Sequence, residues 1–216
     1  MIQLNLFNTD QLEKVSRHTA RAFYDEHHYL GGCGNAFMSY AQYVDGRLVA
    51  CVSFATPAAP NVRRAWFGDL APHVFELVRL AIAPDSGVIA SHFVSRAVKV
   101  WTSERARRDM IPCYALISYA DMSEDHHGGV YQAMSWFYCG VSESSSGFID
   151  AYGRQRHRRS NGANLNSAQA SSLGLHGAKT GEKHRYLKLL GPKRKRGAMM
   201  RALCYPLSPY PKPDQA

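Results

Sequence analysis

The sequence predicts a mixed α/β domain of three layers, a central mixed sheet between helices, followed by a basic C-terminal extension. Three observations carry this. The run VFELVRLAIA, residues 74 to 83, is apolar at nearly every position, as a strand covered on both faces requires. Segments of helical and of strand periodicity follow one another as helix, hairpin, strand, helix, strand, helix, strand. Charge divides the chain: residues 154 to 216 hold fourteen Lys and Arg against Glu182 and Asp214, a net +12, while the first 153 residues net −3. A near-neutral core over 1–153 and a basic, polyanion-binding region over 154–216 are therefore expected.

Each element has its own signal. Thr9 or Asp10 is expected to cap a first helix in which Leu12, Val15 and Ala22 recur near helical spacing, and Gly31 and Gly32 stop it. SYAQYVDG and RLVACVSFA meet at Asp45-Gly46, a strong hairpin signal, and Pro57 and Pro60 end the second strand. Pro84-Asp85-Ser86-Gly87 is a turn. The segment from Ile89 to Asp109 is a long helix with Phe93, Val94, Ala97, Val98 and Trp101 on one side. CYALISYA is a strand and GGVYQAMSWFYC a helix. FIDAYGRQRHRRS is a strand entering the basic region, and a late strand spans about 183–190. Residues of about 161–181, low in large apolar side chains and rich in Ser, Asn, Ala and Gly, read as a mobile loop. The closing YPLSPYPKPDQA is too rich in proline for a helix or central strand.

Composition narrows the function. No apolar run approaches the ~18 residues a membrane span needs, and Met1 to Leu4 lack signal-peptide character. Cys33, Cys51, Cys113, Cys139 and Cys204 are odd in number and contain no CxxC pair, so they read as reduced thiols in the cytoplasm. The basic region reads as a nucleic-acid contact surface. Its candidates are Arg156, Arg158 and Arg159 in RQRHRRS, Lys183, Arg185 and Tyr186 in KHRY, and Lys193, Arg194, Lys195 and Arg196 in the PKRKR run.

Several polar residues sit where a site would form. Ser118, Tyr119 and Asp121 end an apolar strand, the end at which ligands bind in open α/β sheets. Arg79 lies among Leu77, Val78, Leu80 and Ile82. A buried arginine needs an anion, either a partner such as Asp121 or a substrate group. His28 and Tyr29 stand where a helix meets a double glycine, a place for a base, a proton donor or a metal ligand. Tyr131 follows Asp121 by ten positions and returns toward the same crevice. His126 and His127 look like a metal pair, but adjacent histidines on a loop seldom ligate one ion. His27 reads as surface.

The element order matches that of GNAT acyltransferases. In that fold the strand corresponding to VFELVRLAI leads to a glycine-rich loop that grips acyl-CoA; here APDSGVIASHF carries one glycine. A narrower resemblance rests on HHYLGG, ELVRLAI, SYAD with YQA ten residues on, HRRS, KHRY and YPK, in that order from about residue 24 to 212. This set resembles the Mom family of phage DNA-modification proteins, a divergent GNAT branch. The resemblance implies conversion of adenine in duplex DNA to N6-carbamoylmethyladenine, which protects phage DNA from restriction in the host cytoplasm. It implies catalytic roles for His28, Tyr29, Asp121 and Tyr131, and substrate contacts from Arg79, Ser118 and Tyr119. It also implies a mononuclear iron built on His28 and Asp121 with a further ligand. The donor of the two-carbon unit stays open between acyl-CoA, a glycine derivative and another metabolite. Two rivals remain: an N-acyltransferase acting on a small amine or a protein, and a non-catalytic DNA-binding protein on the same scaffold.

Overall fold

The structure, a computed structural model, describes residues 11–57, 60–143, 145–153, 155–156, 159–160 and 163–212. The expected three-layer α/β architecture forms. Strands β1 (Gln11–Val15), β2 (Met38–Val44), β3 (Arg47–Ala55), β4 (Val74–Ile82), β5 (Ala115–Asp121) and β6 (Phe137–Val141) build a seven-stranded sheet with a late strand, β12 (Lys183–Leu189), in the order β1-β2-β3-β4-β5-β12-β6. Only β4 and β5 pair in parallel within it. Because β12 lies between β5 and β6, the basic C-terminal region is woven into the core sheet.

Helix α1 (Arg17–His27) and α2 (Pro60–Phe67) are joined by α6 (Lys193–Ala202) on one face; α3 (Ala90–Arg107) and α4 (Gly129–Ala133) cover the other. Phe54, Phe75, Trp101, Leu116 and Tyr186 form the core beneath α3 and α4. Trp66, Val74, Ile117, Leu187 and Met199 form it beneath α2 and α6. This two-sided burial is why β4 and β5 read as continuous apolar runs rather than alternating ones.

Several boundaries differ from expectation. Leu12 and Val15 belong to an edge strand, not to the first helix. That helix begins at Arg17, where the Ser16 side chain accepts from the Thr19 amide at 3.0 Å. Thr9 and Asp10 lie outside the described residues. The Asp45-Gly46 turn is as anticipated, both residues at positive φ (50° and 75°) and Val44 facing Arg47 across the two-residue loop. The helix expected over residues 128–139 stops at Ala133. Ser135 takes a left-handed φ of 54° and the chain turns into β6. Helix α2 has no counterpart among the elements expected from sequence.

The segment of about 161–181 carries β10 (Ala163–Asn164), α5 (Ser167–Ser172), closed by a reciprocal Asn166–Gln169 capping box, and β11 (His176–Thr180). Strand β11 pairs with β7 (Ser145–Ile149), which pairs with β8 (Gln155–Arg156); β9 (Arg159–Ser160) pairs with β10. The small lobe this makes has its own core of Phe148, Ala170 and Leu175.

Candidate active site

The site is a gap in the sheet. Strands β4 and β5 stay in register from Val74–Ala115 to Leu77–Ser118, then part, while β4 runs on to Ile82 and β5 to Asp121. At the point of parting, Ser118 Oγ lies 2.8 Å from the Leu77 carbonyl and 2.7 Å from the Tyr131 hydroxyl. A carbonyl can only accept and serine has one proton. Ser118 therefore donates to Leu77 and accepts from Tyr131.

A bulge lies just beyond. Phe54 pairs with Leu77 and Ser53 with Arg79, leaving Val78 unmatched. Such an extra residue re-aims the side chains after it. Glu76 and Arg79, which regular alternation would send to opposite faces, both line one cavity of about 680 Å³. His28, Tyr29, Ser118, Tyr131, His126 and Lys183 line it too.

The loop after α1 delivers His28 and Tyr29. The His28 amide closes α1 on the Tyr24 carbonyl at 2.9 Å. Gly31, Gly32 and Gly34, all near φ +55°, turn the chain so that the Gly32 carbonyl accepts from Arg79 Nε at 3.3 Å. The His28 ring stacks on Tyr29, centroids 4.7 Å apart, and its Nδ1 accepts the Leu30 N–H at 3.1 Å. An amide can only donate, so the neutral ring carries its proton on Nε2. Burial foremost, then the electrostatic influence of Arg79, His126 and Lys183, lowers the His28 pKa to about 4. As arranged, His28 is a neutral hydrogen-bond donor rather than a base near neutral pH.

Asp121, at 2% exposure, is held from all sides. Its Oδ2 accepts the Tyr29 hydroxyl at 3.0 Å and pairs with Lys183 Nζ at 2.8 Å; its Oδ1 accepts the Ser123 amide and hydroxyl at 3.2 and 2.7 Å. Burial pushes its pKa up, but the Lys183 and Ser123 bonds outweigh this and keep it below the usual carboxylate range. Tyr29 is pushed well above its ordinary value by burial and by the Asp121 charge, so it stays a proton donor.

Arg79 donates to the Gly32 and Val78 carbonyls and makes no ion pair among the described residues. The pairing with Asp121 considered from sequence is thus replaced by Lys183. An iron centre on His28 and Asp121 does not fit these residues. An ammonium occupies the carboxylate, His28 Nδ1 is engaged, and no group of three His, Cys, Asp or Glu among the described residues is arranged to hold a metal.

Sequence reasoning misses Glu76. It lines the cavity, no described residue hydrogen-bonds to it, and burial lifts its pKa to about 7 against the lowering pull of Arg79 and Lys183. The available signal is a carboxylate in an otherwise apolar strand, three positions before an arginine equally out of place.

The other candidates are placed as follows. Tyr131 is buried, with burial raising its pKa to about 12. The Tyr119 hydroxyl accepts from Trp66 Nε1 at 3.0 Å on the α2 side. Of the expected DNA contacts, Lys183 belongs to the cavity, because register sets it opposite Asp121. Tyr186, 0% exposed, packs in the core with its hydroxyl donating to the His127 carbonyl, so it cannot reach DNA. Arg185 is turned inward, its guanidinium 3.9 Å over the Tyr205 ring and donating to the Val141 carbonyl at 2.8 Å. Lys193, Arg194, Lys195 and Arg196 are exposed on the first turn of α6. Arg156 and Arg159 fall on β8 and β9, and Arg158 lies outside the described residues. Among the described residues no helix is long and apolar enough to cross a membrane.

Solved structures similar to this chain are acetyltransferases. The spermidine/spermine N-acetyltransferase of Vibrio cholerae, crystallised with manganese ions, is 10% identical at a TM-score of 0.49, over 90% of this chain and 98% of that one. The ribosomal-protein-S18-alanine N-acetyltransferase of Escherichia coli is 10% identical at 0.46, over 85% and 97%. A GNAT family acetyltransferase of Elizabethkingia anophelis with acetyl-CoA bound is 9% identical at 0.44, over 85% and 100%. At these values the likenesses say nothing of activity, substrate or donor. No curated protein matches the sequence. The sequence profile of the Mom protein family matches residues 10–212, nearly the full length and every element around the cavity: the chain belongs to the Mom protein family.

Proposed function

We propose that this chain is a transferase that converts adenine in duplex DNA to N6-carbamoylmethyladenine, protecting phage DNA from restriction. Family membership supports DNA modification. The observation that carries the chemistry is Glu76, a carboxylate in the cavity wall, without a hydrogen-bond partner among the described residues and with a pKa of about 7. The exocyclic amine of adenine is a weak nucleophile that must lose a proton as it reacts. A base poised near the working pH suits that step.

In this reading the target adenine leaves the stack, because N6 is engaged in pairing within the duplex. The bond from N6 to the methylene carbon forms as the donor's bond to its leaving group breaks, the leaving group takes that electron pair, and the N6 proton passes to Glu76. His28 donates from Nε2 to an acceptor oxygen of the bound groups. Arg79, which among the described residues has only backbone carbonyls as partners, receives an oxygen of the donor. Lys183, Asp121 and Tyr29 form a fixed wall that keeps the His28 loop against β5. An acyl-CoA, the donor of the acyltransferase alternative, would find Ser86 in the turn before α3 and His92 in the first turn of α3, beside the helix start at Ile89, which has no side-chain cap.

Mass spectrometry of nucleosides from DNA of cells expressing the wild type and Glu76→Gln tests the reading. The modified adenine is expected with the first and is reduced about 10²–10⁴-fold with the second. Unmodified DNA alongside an acylated amine or protein would favour the acyltransferase alternative.

A further inference from the structure

Helix α2 carries more than a piece of cavity wall. Val62 lies in the cavity, and Trp66, one turn on, donates to the Tyr119 hydroxyl. The residues after Val62 are Arg63 and Arg64. Both border a separate concavity of about 230 Å³ between α2 and the 3-10 helix Gly68–His73, with Pro60, Gly68 and Pro72 as further walls. Asp69 borders it as well, and no ion pair joins it to either arginine among the described residues. Arg63 is half-buried, and its Nε is shielded from solvent without a hydrogen-bond partner. Trp101 Nε1 and Arg185 Nε share that condition, but Trp101 is stacked on Phe54 in the core and Arg185 lies over the Tyr205 ring. An N–H removed from water without an acceptor costs stability, and beside an open concavity an incoming acceptor removes that cost.

The positive surface continues past the concavity. The Tyr114 amide donates to the His73 carbonyl, the last of the 3-10 helix, at 3.0 Å, and Lys195 Nζ of α6 lies 5.4 Å from the centre of the Tyr114 ring. Helices α2 and α6 share one core through Trp66 and Met199. Cavity, concavity and the basic run of α6 therefore lie on one face of the sheet.

We propose that Arg63 and Arg64 form a phosphodiester clamp beside the cavity, holding the backbone of the DNA strand whose adenine enters it. The inference rests on the DNA-modifying reading and adds the place where that strand is gripped. A guanidinium presents its donors in a planar fork that matches the oxygens of a phosphodiester, and the Arg63 Nε–H is a donor left over for one. An extruded nucleotide turns about its backbone, so its flanking phosphates stay at the mouth of the pocket. Helix α2 alone separates the cavity from the concavity, with Val62 on one and Arg63 on the other. The clamp also differs in kind from the four cations of α6. Those are exposed, whereas Arg63 is held in place by its burial.

The test uses the full chain as wild type, Arg63→Met, Arg63→Lys and Arg64→Gln. Duplex binding is followed by anisotropy across a salt titration, folding by thermal melts, and modified adenine in cellular DNA by mass spectrometry. Arg63→Met is expected to keep or raise the melting temperature, because the stranded N–H is gone. It weakens duplex binding about tenfold and flattens the log–log salt slope by about one unit. Arg64→Gln, at an exposed position, flattens the slope by a similar amount without touching the fold. Arg63→Lys keeps the charge and the slope but loses the fork, so its affinity falls between those of wild type and Arg63→Met. Modification falls with binding in each variant. Wild-type slopes in both Arg63→Met and Arg64→Gln overturn the clamp. A melting temperature that inorganic phosphate raises at matched ionic strength in the wild type but not in Arg63→Met, with the duplex slopes unchanged, also overturns it and assigns a small phosphorylated anion instead. Absence of modified adenine with the wild type overturns the DNA-modifying reading, and the salt slopes still judge the clamp.

Discussion

At the scale of single residues, two carboxylates in one site are driven in opposite directions. Glu76 is lifted to about 7 by burial, whereas Asp121 is held low by Lys183 and Ser123 despite its burial. The first consequence is a pH dependence with a definite sign. Between the ordinary Glu value of 4.5 and about 7, the folded protein keeps a proton on Glu76 that the unfolded chain releases. The Glu76 contribution to stability is therefore full below that window and declines as pH rises through it. Activity runs the other way, rising through about 7 as the base ionises. Glu76→Gln should remove the declining limb from a series of thermal melts while abolishing the rate. A variant that keeps full activity would remove Glu76 from the mechanism. The second consequence concerns Lys183, whose side chain is 29% exposed. Lys183→Met strands a buried charge, at roughly 3–5 kcal/mol. Adding Asp121→Asn should recover most of that stability in melts, because the stranded charge is gone.

At the scale of elements, the β5–α4 connection depends on one glycine. Gly128 has a φ of +80°, and a Cβ there would meet the Tyr186 ring at 2.2 Å. The ring cannot retreat, being 0% exposed and tied through its hydroxyl to the His127 carbonyl and to Gln132. Gly128→Ala must then shift the loop of His126 to Gly129, which is cavity wall. The backbone strain alone is worth roughly 1–3 kcal/mol, and melting temperature and modification should fall together. Gly129→Ala is the control. It begins α4 without a positive φ, and its Cβ would lie 3.3 Å from His127 Nε2, the end of a side chain. Equal losses in both variants would show that the Tyr186 clash is not what fixes the loop.

At the scale of the whole molecule, charge is arranged against local stability. Lys193, Arg194, Lys195 and Arg196 occupy the first turn of α6, whose positive dipole end disfavours cations, and Pro192 offers no side-chain cap. Replacing all four with Gln should leave α6 at least as stable. It should flatten the log–log salt dependence of duplex binding by up to about three or four units, one for each phosphate no longer neutralised. Modification should then fall at all adenines alike, since cations on phosphates position the protein without choosing a base. A salt titration of both proteins measures it. An unchanged slope would mean that this run is only a solvated face.

The sequence by itself determined what local chemistry determines. The Asp45-Gly46 hairpin, the twice-buried β4 and β5, the long α3, and the basic region with its exposed run all follow from short-range patterns. His28, Tyr29, Arg79, Ser118, Asp121 and Tyr131 were all legible as one cluster, and they meet around one gap. Strand register and parity were decided only in three dimensions. Pairing of β12 with β5 puts Lys183 against Asp121 and sends Tyr186 into the core, though KHRY reads as a basic surface motif. The bulge at Val78 brings Glu76 round to the side of Arg79, and a single added residue in one strand leaves no mark in the alternation of a strand buried on both faces. The identity of the ion pair, the proton on His28 and the pKa of Glu76 depend on distances between segments far apart in the chain, and those exist only once the sheet has closed.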